Sequence, residues 1–268
     1  MSENDLNKGV GRPLILAGLG DVGAQLDRCF LPLGLVLDSG FSSRKYIGAV
    51  NGRFITVTIA PRTHNQYITG EIRYRKFAGL WMDISVTTPV MTRLMLGQPK
   101  GMARRFVAFV QRQRGNKPVP HLPAAYDELV AFAHDPAWGE TFLRDTAVQN
   151  HLTTLLHDPH LPPGAAVHLS PGNPAHLGRP GKWMWTTPAL PDDFTPASAQ
   201  RWVTSLGHLA ALAEQEPPLT AVPPTWLERQ SPRTTGFLLA AVLLFGIPFL
   251  LFTCCIVPAF ILIFLSGN

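Results

Sequence analysis

The sequence predicts an α+β fold, an antiparallel meander sheet with packed helices, followed by a C-terminal transmembrane helix. Three observations carry that reading. Between residues 46 and 87 apolar and polar positions alternate among turn-forming glycines, as strands with one covered face do. Between residues 135 and 214, helix-start signals precede apolar stripes of helical period. Gly236–Leu265 then reads GFLLAAVLLFGIPFLLFTCCIVPAFILIFL, without Asp, Glu, Lys, Arg or His. Such a run exceeds the roughly 18 apolar residues that mark a membrane span, where one helix must satisfy its own backbone.

Residues 1–12 are polar, carry both charge signs and are expected to be disordered. An α+β domain follows over residues 13–215. Its first stretch, Leu14–Val36, is apolar but poorly periodic, interrupted by Gly18, Gly20, Gly23 and Pro32. Tyr46–Val50, Asn51–Gly52 and Arg53–Ile59 form a hairpin signal, because Asn-Gly readily takes the positive φ angles of a two-residue turn. Tyr67–Phe77 alternates as a strand, Ala78–Gly79 reads as a turn, and Leu80–Thr87 as the next strand. Tyr126–Ala133 reads as a further strand, while Thr88–Leu122 gives no clear strand pattern.

Asp135 and Pro136 suit the N-cap and first position of a helix running to about Asp145. A second helix over Ala147–His157 places Val148, Leu152, Leu155 and Leu156 together. Val167–Ser170 and Lys182–Thr187 read as short strands around a Pro/Gly turn. Thr195–Pro196 opens the last helix, with Trp202, Leu206, Leu209 and Leu212 on one stripe. Residues 216–235 form a proline-rich linker, and 236–265 the membrane segment. Thirty residues would make a helix of about 45 Å against a hydrocarbon core of about 30 Å. With Pro248 and Pro258 inside it, the segment reads as one tilted or kinked span. The alternative is a tight hairpin near Gly246–Pro248.

The chain has 268 residues and a net charge of +5, all of it before Thr234. Cys29 stands alone ahead of the tail, and Cys254 and Cys255 lie inside the apolar run, so no disulfide framework is implied. Leu14–Leu19 is too short for a secretory core. Arg229 and Arg233 precede the tail with nothing basic after it, which places the domain on the cytoplasmic side. The expected localisation is the membrane, with the N-terminal domain cytoplasmic.

The chemical candidates are few. Gly18, Gly20 and Gly23, with Asp38 downstream, match a dinucleotide-binding fingerprint. The context opposes it, because Pro32 cuts the following helix short and a meander succeeds it. Gly178–Trp183 resembles a phosphate loop but has His176 and Trp183 where glycine and a hydroxyl belong. His151, His157, His160 and His168 fall within eighteen residues, and the last three are the candidate metal donors, His151 lying off their face, set against plain surface or helix-capping roles. Glu140 and Asp145 are five apart, off the spacing at which helix neighbours face each other. No nucleophile signature surrounds Ser170 or Cys29.

A charge asymmetry is the remaining feature. Between Ile84 and Tyr126 there is no acidic residue, yet Arg93, Lys100, Arg104, Arg105, Arg112, Arg114 and Lys117 fall there. As a helix, Met102, Phe106, Phe109 and Val110 would make an apolar stripe opposite Arg104, Arg105 and Arg112. Arg104, Arg105, Arg112 and Arg114 are thereby candidates for contact with anionic lipid headgroups. Nucleic acid is not expected, since stacking aromatics are not interleaved with the charges.

Gly48, Gly52, Arg53, Ile55 and Val57 on the hairpin, Tyr126-Asp127, Asp135-Pro136 and the helix near Leu206–Ala213 together resemble uncharacterised bacterial membrane-anchored α+β domains. The resemblance implies the fold and transfers no catalytic residue. The expected function is a C-terminally anchored membrane protein whose cytoplasmic domain binds a protein partner or the lipid bilayer surface, without cofactors or catalysis. The alternative is a tethered enzyme, nucleotide-dependent through the glycines or metal-dependent through the histidines.

Overall fold

The computed structural model describes residues 14–38, 43–68, 71–99, 101–157, 161, 164–172, 181–190 and 194–225. The N-terminal stretch 1–12, the apolar run 236–265 expected to span a membrane and most of the stretch before it lie outside the described residues. Among the described residues no helix is long and apolar enough to cross a membrane. What is described belongs to a compact unit that ends at Pro223, save the two residues after it.

The fold is α+β, built on one sheet of nine strands, all neighbours antiparallel. In chain order they are β1 Val36–Leu37, β2 Arg44–Val50, β3 Arg53–Ile68, β4 Glu71–Thr88, β5 Leu94–Gly97, β6 Lys117–Pro118, β7 Val130–Ala133, β8 Ala166–Pro171 and β9 Gly181–Thr187. Their spatial order is β1-β2-β3-β4-β9-β8-β5-β7-β6. Only the first four strands follow one another as a meander. Among the described residues five helices accompany the sheet: α1 Leu14–Phe30, α2 Met102–Gln113, α3 Pro136–Arg144, α4 Thr146–Leu156 and α5 Pro196–Gln215.

The hairpin at Asn51–Gly52 is present, with φ of 51° and 73° and Val50 opposite Arg53. Both residues sit in the left-handed region that a turn matching the strand twist demands. Ala78–Gly79, by contrast, is no turn. β4 runs straight through it, and those two residues stand opposite Arg62 alone, so the site is a β-bulge. Gly79 takes φ 96°, which is why glycine serves there and why it imitates a turn signal. The strand expected over Tyr126–Ala133 is shorter. Ala124–Tyr126 forms a 3-10 turn, and pairing begins only at Val130.

Strand alternation sorts the sheet into two faces. Val167 and Leu169 of β8, and Trp183 and Trp185 of β9, enter the core with Ile55, Val57, Ile59, Ile84 and Val86. α1, α4 and α5 pack on that face. Phe30 meets Tyr46 and Phe194, and Trp202 meets Phe194 and Trp185, with ring centroids 5.0–5.7 Å apart. The Trp185 indole donates to the Leu155 carbonyl at 2.7 Å, joining α4 to the same seam.

The helix starts follow their capping chemistry. Asp135 accepts from the amides of Ala137 and Trp138, and Asp145 from those of Ala147 and Val148. Thr195 accepts from Ser198 ahead of α5. At the far end of α5, Arg53 grips Glu214 through both guanidinium nitrogens, at 2.5 and 2.8 Å, and Thr88 donates to the same carboxylate.

Two glycines make a contrast in how much room the core leaves. At Gly181 an added Cβ would lie 1.9 Å from the Val90 carbonyl oxygen, whereas at Gly207, inside α5, nothing lies within 4 Å. Gly181→Ala is expected to cost on the order of 3 kcal/mol in urea unfolding, by forcing backbone apart. Gly207→Ala is expected to stabilise by about 0.5–1 kcal/mol, because it removes helix-interior glycine without a clash.

Candidate functional site

The acid-free stretch folds into α2, and the chain closes that helix firmly. Arg114 is the C-cap and Gly115 follows it at φ 77°. The Gly115 amide donates to the Arg112 carbonyl at 2.9 Å and the Asn116 amide to Gln111 at 3.0 Å. This pair of bonds is a Schellman closure, which needs a residue free to turn left-handed. The Asn116 side chain also donates to the Gln111 side-chain oxygen at 2.6 Å, and both residues are buried.

Orientation is where the helix departs from its periodicity. Ala103, Val107 and Gln111 are spaced four apart and share one face. Gln111 is buried, while Ala103 and Val107 line a cavity against the sheet. The neighbouring face, which the sequence marks as the apolar stripe, turns outward. Phe106 is 67% exposed and Phe109 60%. A helix normally buries its phenyls and exposes its glutamine. Here the buried glutamine has a partner in Asn116, while both phenyls face solvent.

Arg105 and Arg112, seven apart, lie along one flank of the phenyls and not opposite them as expected, because 100° per residue brings both within about 60° of Phe109; both are exposed, as are Arg104 and Arg114. Arg112 and Arg114 sit at the helix C-terminus, where cations are favoured. Arg104 and Arg105 occupy the first turn, against the helix dipole, at a cost of about 0.3–1 kcal/mol each. Helix stability therefore does not account for their placement.

Beneath α2 the second face of the sheet carries Met95 and Gly97 of β5 beside His168 and Ala166 of β8. Together with Ala103 and Val107 they line a cavity of about 540 Å³. Gly97 and Ala166 fit closely, since a Cβ at Gly97 would lie 3.0 Å from that of Ala166. The small residues let α2 stand over the sheet without filling the space. Burial pushes the His168 imidazole down to about 4, and the nearby charges of Arg114 and Lys182 act in the same direction.

The other sequence candidates fall elsewhere. Gly18, Gly20 and Gly23 all lie inside α1, not in a loop between strand and helix, so their backbone amides are spent on the helix itself. Gly23 has a packing role: an added Cβ would lie 2.8 Å from the Arg44 guanidinium. Arg44 reaches past it to Asp27 at 2.5 Å, where Tyr46 also donates at 2.8 Å. The Arg44 hydrogen bond holds the Asp27 carboxyl below its ordinary range. Asp38 follows the two-residue β1 on the surface, its amide donating to the Lys45 carbonyl.

His157 is the C-cap residue of α4, His168 lies on β8, and His160 is outside the described residues. Among the described residues no three His, Cys, Asp or Glu side chains converge as a metal site would require. One pair sequence reasoning did not connect is His151 of α4 and His208 of α5, stacked with centroids 4.8 Å apart. Burial and the His208 charge lower the His151 pKa. Two imidazoles are short of the three or four donors a metal takes. Their positions, far apart in sequence on helices that pack together, offer no local pattern to find them by.

Compared with protein-family models, with curated proteins and with solved structures, the chain finds no match in any of the three.

The half-buried imidazole has a measurable consequence. An unfolded histidine titrates near 6.5, and His168 in the folded chain titrates lower. The unfolded chain therefore binds the proton first, and stability present above about pH 6.5 is lost as pH falls toward 4. His151 shifts the same way, whereas burial raises the Asp83 carboxyl and acts in the opposite sense at lower pH. Between pH 7.5 and 5 the wild type is expected to lose on the order of 1–2 kcal/mol more than His168→Gln, in urea unfolding at each pH. Equal losses in both would exclude His168 as the titrating group.

Proposed function

We propose that the protein is a membrane-tethered, non-catalytic module whose domain lies on the anionic cytoplasmic surface of a bilayer through α2. The outward Phe106 and Phe109, flanked by Arg105 and Arg112, carry this reading. Phenyls that leave water for the boundary between headgroups and acyl chains each contribute up to about 1.5–3 kcal/mol. Each basic side chain near anionic headgroups adds about 1 kcal/mol. The acid-free stretch of sequence around the helix serves the same end, since residues 84 to 126 contribute no carboxylate to oppose an anionic surface.

In this reading the apolar run Gly236–Leu265 is the tether and α2 sets how the domain lies. A weak surface contact suffices once the chain is already held at the membrane, because tethering raises its effective concentration. The enzyme alternative gains no support from the placement of its residues, with the glycines of its nucleotide branch inside α1.

Flotation of residues 1–223 with lipid vesicles tests the contact. Binding is expected to phosphatidylcholine vesicles containing phosphatidylserine, not to phosphatidylcholine alone, and to weaken with added salt. Arg105→Gln with Arg112→Gln is expected to lower affinity by about 30-fold, and Phe106→Asp with Phe109→Asp to abolish it. Equal binding to both vesicle types, or to neither, removes the proposal. Stronger binding to single-stranded RNA would put nucleic acid in its place. For the tether, full-length protein in a detergent-free lysate is expected to sediment with membranes, and recovery in the supernatant after ultracentrifugation would refute it.

A further inference from the structure

The cavity beneath α2 is a second feature, on a different face of that helix from the phenyls. It is open to solvent, and at about 540 Å³ it falls in the range of roughly 300–1,000 Å³ occupied by small-molecule sites. Its volume follows from sequence: Gly97, Ala103 and Ala166 stand where larger side chains would close it. The lining is mostly apolar, with Met95 and Val107 as large hydrophobic members, and among the described residues His168 is its ionisable group and Gln98 its other polar side chain.

Charge gives the second clue. Arg114 and Lys182 both lie near enough to His168 to repel its proton. Lys182 stands on the same face of β9 as Met184, the residue paired with His168, and Arg114 closes the C-terminal end of α2. An apolar chamber with a positive border matches a molecule that has one hydrocarbon tail and an anionic head.

We infer that the cavity between α2, β5 and β8 binds the hydrocarbon chain of a single-chain anionic amphiphile, with its head directed toward Arg114 and Lys182. The imidazole, kept neutral, adds a polar contact at the chamber wall without charge of its own. The site goes beyond the surface contact of Phe106 and Phe109, and either can hold without the other.

Photolabelling of the full-length protein in detergent micelles decides it, with palmitic acid carrying a diazirine on its chain as the probe and peptide mapping by mass spectrometry. Label is expected on residues 95–98 and 164–168, lost on addition of excess palmitate. A neutral monoacylglycerol probe with the same diazirine chain is expected to need about tenfold higher concentration for equal labelling, as loss of one charge contact implies. Ala103→Trp, which fills the chamber from an exposed helix position, is expected to abolish that label while thermal unfolding remains cooperative. Arg114→Gln is expected to weaken the palmitic acid probe and leave the neutral one unchanged.

Label confined to residues 105–110 or to the C-terminal apolar run would overturn the inference. So would full labelling in a folded Ala103→Trp protein, or equal labelling by both probes. If the chamber labels as expected but vesicle flotation shows no anionic preference, the surface proposal fails and this one stands. The reverse result sinks this one alone.

Discussion

Tyr46, Phe30, Phe194, Trp202 and Trp185 meet ring to ring across the packed face of the sheet, and the helices there are arranged around that seam. Each such pair contributes about 0.5–1.5 kcal/mol beyond the area it buries. The seam also fixes register. Trp183 and Trp185 alternate with Lys182, Met184 and Thr186 along β9, so a slip of one residue would send both indoles to the other face. The Arg44–Asp27–Tyr46 cluster fastens α1 at one end of this arrangement, and Arg53 with Glu214 fastens α5 at the other.

With α1, α4 and α5 on one face, α2 is the described helix that stands over the other. That division explains why the two sides differ in character. One side spends its large aromatics on packing. The other combines small residues, a histidine, a lysine and a partly buried aspartate with a helix that shows phenylalanine to water. Packing alone would have reversed the faces of α2. The sequence retains arginines in its first turn and glutamine on its inner face, and both choices work against stability in isolation.

Much of the fold was legible because local chemistry and tertiary structure agree. Asn51–Gly52, Asp135–Pro136 and Thr195 act through their own backbone neighbours, so their signals need no wider context. Helix α5 buries Trp202, Leu206 and Leu209 as its period indicates. Elsewhere the signal was local and the answer was not. α1 forms across its glycines because its C-terminal half packs against the sheet and α5, outweighing a propensity cost of about 1 kcal/mol per glycine. Gly79 marks a bulge rather than a turn, a difference set by the strand opposite it. β5 is four residues flanked by two partners distant in sequence, Val130–Ala133 and Ala166–Leu169, and nothing nearby announces it. The basic helix was readable, but its outward face was not, since periodicity says which residues share a side and not which side meets the protein.

The ends of the sheet carry a consequence for life in company. Its border strands, Val36–Leu37 and Lys117–Pro118, are two residues long, and one of them holds a lysine and a proline. Long bare borders invite a neighbouring chain to add itself through open amides and carbonyls, the usual route to fibres. Nine strands in one layer would be a hazard if they finished in full-length rims. Finished as they are, the two borders offer little main chain, and the open edges that remain belong to the β3–β4 ribbon, where β3 runs past Ile59 and β4 starts before Met82.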